Sequence, residues 1–170
     1  MLSLEVENQA SRPHFDTYVH ERSGSLVRLA YLLTGDAHLA EDLVQTSLVK
    51  VMGRWEHVTA GGDPHPYVRK VIIHTALGWR RRRWQAEKPS DPLPDVGRTP
   101  DHAAVVDSRE RLRRALLQLP TRQRAAVVLR HYEDLSEQDV ARVLGCSVGT
   151  VKSQTARGLD RLRSLMDDDR

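Results

Sequence analysis

Apolar residues recur at three- and four-residue intervals over most of the chain, and runs of Val, Ile and aromatic residues bounded by tight-turn signals are missing. This pattern predicts helices and no sheet. The first periodic segment runs from His14 to Leu33, with Phe15, Tyr18, Val19, Leu26, Leu29, Ala30, Leu32 and Leu33 on its apolar face. Gly35 is placed to end it and Asp36 to cap the next helix. That second helix, to about Arg54, turns Leu39, Leu43, Val44, Leu48, Val51 and Trp55 inward and Glu41, Asp42, Gln45 and Lys50 outward. The glycines and prolines of VTAGGDPHP, residues 58–66, break the pattern and predict a loop. A third helix, Tyr67 to Trp84, keeps Val68, Val71, Ile72 and Leu77 apolar. It carries Arg69, Lys70, Arg80, Arg81, Arg82 and Arg83 with no acidic side chain before Glu87, the most positive stretch of the chain.

From Gln85 the composition shifts to proline, aspartate and lysine, and Pro89, Pro92 and Pro94 are too close together for a helix. Residues 85–100 therefore read as an extended linker. Helical periodicity resumes after Asp101 and persists to Asp167, and Pro120 separates a helix of about 102–118 from one of about 121–133. The fold class is all-α: a tail (1–13), a first helical domain (14–84), the linker, and a second helical domain (101–167).

The second domain contains LSEQDVARVLGCSVGTVKSQTARGLDRLRSLM. Ser136 and Asp139 form a capping arrangement, Val140 and Leu144 an apolar face, Gly145 a stop, and Ser147 a second cap before a longer helix. A short helix, a glycine-containing turn and a longer helix make a helix-turn-helix, whose second helix enters the major groove. Val151, Leu159 and Leu162 would face inward, while Thr150, Lys152, Ser153, Gln154 and Arg157 offer cations for phosphate or guanine, an amide for adenine, and hydroxyls for backbone or base. A plain helical hairpin with a solvated basic face is the competing reading of the same pattern.

Composition narrows the classes. A chain of 170 residues with a formal charge of +3 is weakly basic overall, so the placement of charge matters more than its sum. No run of eighteen apolar residues exists, which argues against a membrane span. One cysteine, Cys146, cannot form an internal disulfide and fits a reducing cytoplasm; its place in the turn suits packing better than redox chemistry. The eight histidines are scattered without metal-ligand spacing, and no nucleophile elbow or phosphate-binding glycine loop frames the serines. We expect no catalytic centre, no metal and no cofactor.

The string GTVKSQTARGLDRLR resembles the recognition helix of region 4 in bacterial RNA polymerase sigma factors of the small extracytoplasmic-function type. AYLLTGDAHLAEDLVQTSLVKVMGRW resembles regions 2.1 and 2.2 of the same family, and YVRKVIIHTALGWRRRRW its regions 2.3 and 2.4. The resemblance implies a dissociable specificity subunit that directs core polymerase to −35 and −10 promoter elements. It implies that Glu41, Asp42, Gln45 and Lys50 meet the polymerase β′ subunit. Arg69, Lys70, His74, Trp79 and Arg80, Arg81, Arg82 and Arg83 would engage the −10 element and its melted strand, with Trp79 or Trp84 stacking on bases and residues 58–66 capturing a flipped base. Ser147, Thr150, Lys152, Ser153, Gln154 and Arg157 would read the −35 element. Partners are thus core polymerase (β and β′) and promoter DNA, with an anti-sigma protein as a further candidate.

His74 stands where many relatives carry asparagine, Gly78 where an acidic or small polar residue is common, and Tyr67 where tryptophan is frequent; Tyr67 reads as a packing residue. A spacer of about 17 base pairs spans on the order of 58 Å. A linker of about 16 residues reaches up to roughly 55 Å, and the domains add to that reach. Asp91, Asp95 and Asp101 would suit a basic channel. Two other classes compete: a stand-alone helix-turn-helix regulator, which would bind a palindrome as a dimer and has no use for the first domain, and a nucleic-acid enzyme, for which clustered carboxylates are missing.

Overall fold

The computed structural model describes residues 14–83 and 103–168, and every regular element among them is a helix. In chain order these are α1 (Phe15–Thr34), α2 (Ala37–Met52), α3 (Trp55–Ala60), α4 (His65–Arg83), α5 (Ala103–Leu117), α6 (Thr121–Val127) with a π-helical turn (Val128–Tyr132), α7 (Glu137–Leu144) and α8 (Val148–Asp168). They gather into two compact units that divide after Ala76, within α4. The tail, Trp84 and the 85–100 linker with Asp91 and Asp95 lie outside the described residues, as do Asp101 and the side chains of Arg80, Arg81, Arg82 and Arg83.

In the first unit, Gly35 adopts φ 71°, and its N–H donates to the Tyr31 carbonyl. A left-handed residue costs glycine nothing, so α1 ends there. The Asp36 carboxylate then accepts from Leu39 N–H at 2.8 Å and opens α2. The reversal lays α2 along α1 and buries Leu26, Leu29 and Ala30 together with Ala40, Leu43 and Val44; Val68, Ile72 and Ile73 of α4 complete the core.

The expected loop over 58–66 is shorter than the pattern implied. Val58, Thr59 and Ala60 are helical, as are His65 and Pro66, leaving 61–64 between them. Burial overrides the local signal here: Trp55 stacks edge-on against Phe15 at 5.1 Å and tilts against Tyr18 at 5.2 Å, while buried Thr59 donates back to the Trp55 carbonyl at 2.9 Å. Pro66 is tolerated because the first helical turn has no N–H partner to lose.

In the second unit α8 is the hub, touched by α5, α6 and α7. Arg124 on α6 is 1% exposed, and its Nη2 donates to the Leu117 and Leu119 carbonyls at 2.8 and 3.3 Å, so a buried guanidinium meets the negative end of α5. Arg111 on α5 donates to the Met166 carbonyl in the last turns of α8 at 3.1 Å. The segment expected as one helix over 121–133 widens after Val127: Glu133 N–H reaches back five residues to the Val128 carbonyl, and Asp134 then turns the chain at φ 52°.

Two glycines separate packing from propensity. A Cβ on Gly158 would stand 2.7 Å from Val127 Cγ2 and 3.3 Å from the Gln123 carbonyl, whereas one on Gly78 would meet nothing within 4 Å. Gly158→Ala should therefore lower stability by about 1–2 kcal/mol, the crowding outweighing the helix-propensity gain, while Gly78→Ala should raise it by about 0.5–1 kcal/mol. Denaturant midpoints check both, and a gain at Gly158 would show that α6 and α8 are not in close contact.

Candidate nucleic-acid interface

The helix-turn-helix is built by its caps. Ser136 Oγ accepts from Asp139 N–H at 3.1 Å and donates to its carboxylate at 2.7 Å, starting α7. Gly145, at φ 64°, ends α7, and Cys146 N–H donates to the Ala141 carbonyl across the turn. Ser147 Oγ then accepts from Thr150 N–H at 3.1 Å and lies 2.9 Å from the Thr150 hydroxyl. Val151 and Val140 are fully buried and lock the two helices. Cys146 is half-buried in this turn.

This rotation of α8 decides what is presented. Gly149, Lys152, Ala156 and Arg157 are exposed, with Ser153 half-buried among them and its hydroxyl donating to the Thr150 carbonyl at 3.0 Å. They form one strip at helical spacing. Thr150 and Gln154 are half-buried and flank it, and the Ser147 hydroxyl is engaged in capping. Of the expected contacts, Lys152, Ser153 and Arg157 therefore share the open strip. Gly149 and Ala156, outside the set expected from the sequence, carry no polar group to mark them, although their spacing from Lys152 is readable there. Small residues let the backbone approach a groove floor, and an alanine methyl can meet a thymine methyl.

On α4, Lys70 and His74 are exposed one turn apart, with half-buried Tyr67 beside them. Arg69 points elsewhere: it is half-buried and close enough to His65 to oppose its protonation. Trp79 is half-buried. The start of α4 is pinned to α1 by a 2.9 Å bond between the Tyr18 hydroxyl and His65 Nδ1. Burial pushes the Tyr18 phenol up to about 12. Burial, joined by the Arg69 and Arg22 cations and opposed by Asp63, holds the His65 imidazole below its ordinary value. At neutral pH the phenol and the imidazole are thus both uncharged, and the bond between them joins two neutral groups. Asp63 also accepts from His65 N–H at 3.0 Å.

On α2, Glu41, Asp42 and Gln45 are exposed on one face, and Val49 and Met52 continue it at 66% and 56% exposure. Lys50 projects from another side of the helix, where its ammonium donates to Thr75 on α4 at 3.2 Å. Val49 and Met52 were missed, yet both fall out of phase with the core positions Leu48 and Val51, which is a signal the sequence contains. No described helix is long and apolar enough to cross a membrane.

Among the described residues every regular element is a helix, and a capped helix-turn-helix together with the basic sequence of α4 gives the architecture of a DNA-binding protein. The sigma-70 region 2 model matches residues 18–86 and the sigma-70 region 4 model residues 109–162, and the chain belongs to the sigma-70 family. It is 41% identical to the "RNA polymerase sigma-E factor" of Streptomyces avermitilis, over 90% of this chain and 85% of that one. It is 34% identical to the "ECF RNA polymerase sigma factor SigM" of Mycobacterium tuberculosis, over 89% and 76% respectively. The fold matches the sigma factor RpoE of Bartonella quintana, solved with the anti-sigma factor NepR, at a TM-score of 0.70 and 24% identity, over 92% of this chain and 98% of that one. The chain is thus an RNA polymerase sigma factor serving promoter recognition, and the reading as a stand-alone regulator is not favoured.

The Tyr18–His65 anchor has a pH signature. Because the folded protein holds His65 below its ordinary value of 6.5, the unfolded chain binds more protons as pH falls through that value. The stabilisation is complete above pH 6.5 and declines below it, towards the folded pKa. His65→Asn, which keeps a neutral acceptor without a titrating ring, should flatten the loss of stability between pH 7.5 and 5. Denaturant midpoints across that range are the measurement, and an unchanged slope in the variant would remove His65 from the account.

Proposed function

We propose that the exposed α2 face of Glu41, Asp42, Gln45, Val49 and Met52 docks on core polymerase. We further assign Lys70 and His74, with Arg80–Arg83, to the −10 element, and the strip of Lys152, Ser153, Ala156 and Arg157 to the −35 element. The observation that carries this is the exposure of Val49 and Met52 within an otherwise polar helix face. A monomer gains nothing by wetting two large apolar side chains side by side, and such a patch marks a protein-contact surface. Lys50 serves differently in this proposal, holding α4 against α2 through Thr75. The chain acts without catalysis of its own, in the cytoplasm, and an anti-sigma protein would compete for the faces that polymerase uses.

The division of labour gives separable outcomes. Val49→Asp with Met52→Asp should abolish co-elution with core polymerase and leave binding of the free chain to duplex DNA unchanged. Lys152→Ala with Arg157→Ala should leave polymerase binding intact, cut −35-dependent transcription at least about tenfold, and flatten the log–log salt dependence by about 0.9 for each phosphate no longer neutralised. Permanganate reactivity of promoter thymines reads the third role, and open complexes that survive replacement of Arg80 and Arg81 would overturn it.

A further inference from the structure

The exposed strip of α8 is flanked by a carboxylate that takes no part in the helix cap. Glu137, the first residue of α7, places Oε2 3.7 Å from Lys152 Nζ, with the two side chains 36% and 64% exposed. The neighbouring acid Asp139 is already occupied by Ser136 and by Arg142, whose Nη2 lies 2.6 Å away. Glu137 instead reaches across to the second helix. At 3.7 Å the pair is too long for a hydrogen bond and open to water, so it holds α7 to α8 only weakly. Val140, Val151 and Leu144 perform that task by burial.

We propose that Glu137 is a specificity-determining residue of the −35 face, acting as an internal phosphate mimic that occupies Lys152 until a correctly seated duplex displaces it. The proposal rests on the assignment of the α8 strip to DNA. A lysine free in solution gains counterion-release energy from any phosphate, irrespective of sequence. When Lys152 is already neutralised by Glu137, fewer counterions are released on binding, and the carboxylate left behind faces the incoming polyanion. Both effects lower affinity for arbitrary DNA. They penalise a correct site less only because a duplex seated in register draws Lys152 off Glu137 onto a contact that arbitrary DNA does not offer, and that gain enters the difference between the two affinities.

The test is a cycle of Glu137→Gln, Lys152→Gln and the double variant in the full-length chain, with anisotropy on a labelled duplex of arbitrary sequence over a range of salt. Glu137→Gln should tighten binding about three- to tenfold and steepen the log–log salt slope by about 0.9. In the Lys152→Gln background the same change should tighten binding less than about twofold. Thermal midpoints of all four proteins should agree within a few degrees, which would separate this role from a structural one. Equal tightening in both backgrounds would overturn the proposal, leaving only a general charge effect. Lys152→Gln binding as tightly as the parent would instead overturn the assignment of the strip to DNA.

Discussion

The tightest constraint in the second unit is the approach of α8 to α6 at Gly158, where no carbon fits between the α8 backbone and Val127 without displacement. This contact, with Val151 buried one turn from the start of α8, fixes the helix about its own axis. Rotation is what a recognition helix must control, because a turn of about 100° exchanges one residue's outlook for the next. Given that register, Lys152, Ala156 and Arg157 face out and Thr150 and Gln154 fall to the side. The Arg124 and Arg111 bonds to carbonyls at helix ends work in the same direction, tying α5 to its neighbours.

The first unit follows a different logic. Its α1 and α2 form a hairpin set by Gly35 and Asp36, but α3 and α4 are joined to it by an aromatic and polar cluster: Phe15, Tyr18, Trp55 and His65. Such a cluster is directional. The tyrosine–histidine bond fixes where α4 begins, and the Lys50–Thr75 bond fixes its path against α2. Both act on α4, so the helix proposed to meet polymerase and the helix proposed to meet the promoter are tied to one frame.

Most of the architecture was legible because periodicity and caps agree. Gly35, Asp36, Ser136, Gly145 and Ser147 all stand where their chemistry placed them. The misses have a common cause. Trp55 to Ala60 contains strong breakers just downstream, and only the tertiary contact of Trp55 with Phe15 and Tyr18 makes that turn helical. The widened turn over Val128–Tyr132 ends in the left-handed Asp134, and an ordinary helical pattern in VVLRHYED conceals both. In the candidate interface Lys152, Ser153 and Arg157 are legible by side-chain type, whereas Gly149 and Ala156, and Val49 and Met52 on α2, carry no hydrogen-bonding group to mark them. What these faces present is what is exposed, and exposure depends on the phase of the whole helix.

Charge placement works alongside packing. A net of +3 spread over 170 residues gives little general attraction to DNA, and several acids sit close to bases: Asp139 with Arg142, Asp160 with Arg163, Glu110 with Arg113 and Arg114. Those last two arginines, led by the Arg113 hydrogen bond, hold the Glu110 carboxyl down to about 2. A subunit that must leave one promoter and find another is poorly served by strong nonspecific adhesion, since counterion release rewards every phosphate alike. Local neutralisation of this kind lowers the attraction that cations outside the proposed DNA-contacting faces would exert. On the proposed assignment, sequence selectivity then falls to a short strip on α8 and a basic stretch on α4, each weak alone, and to a polymerase that would hold both against one duplex.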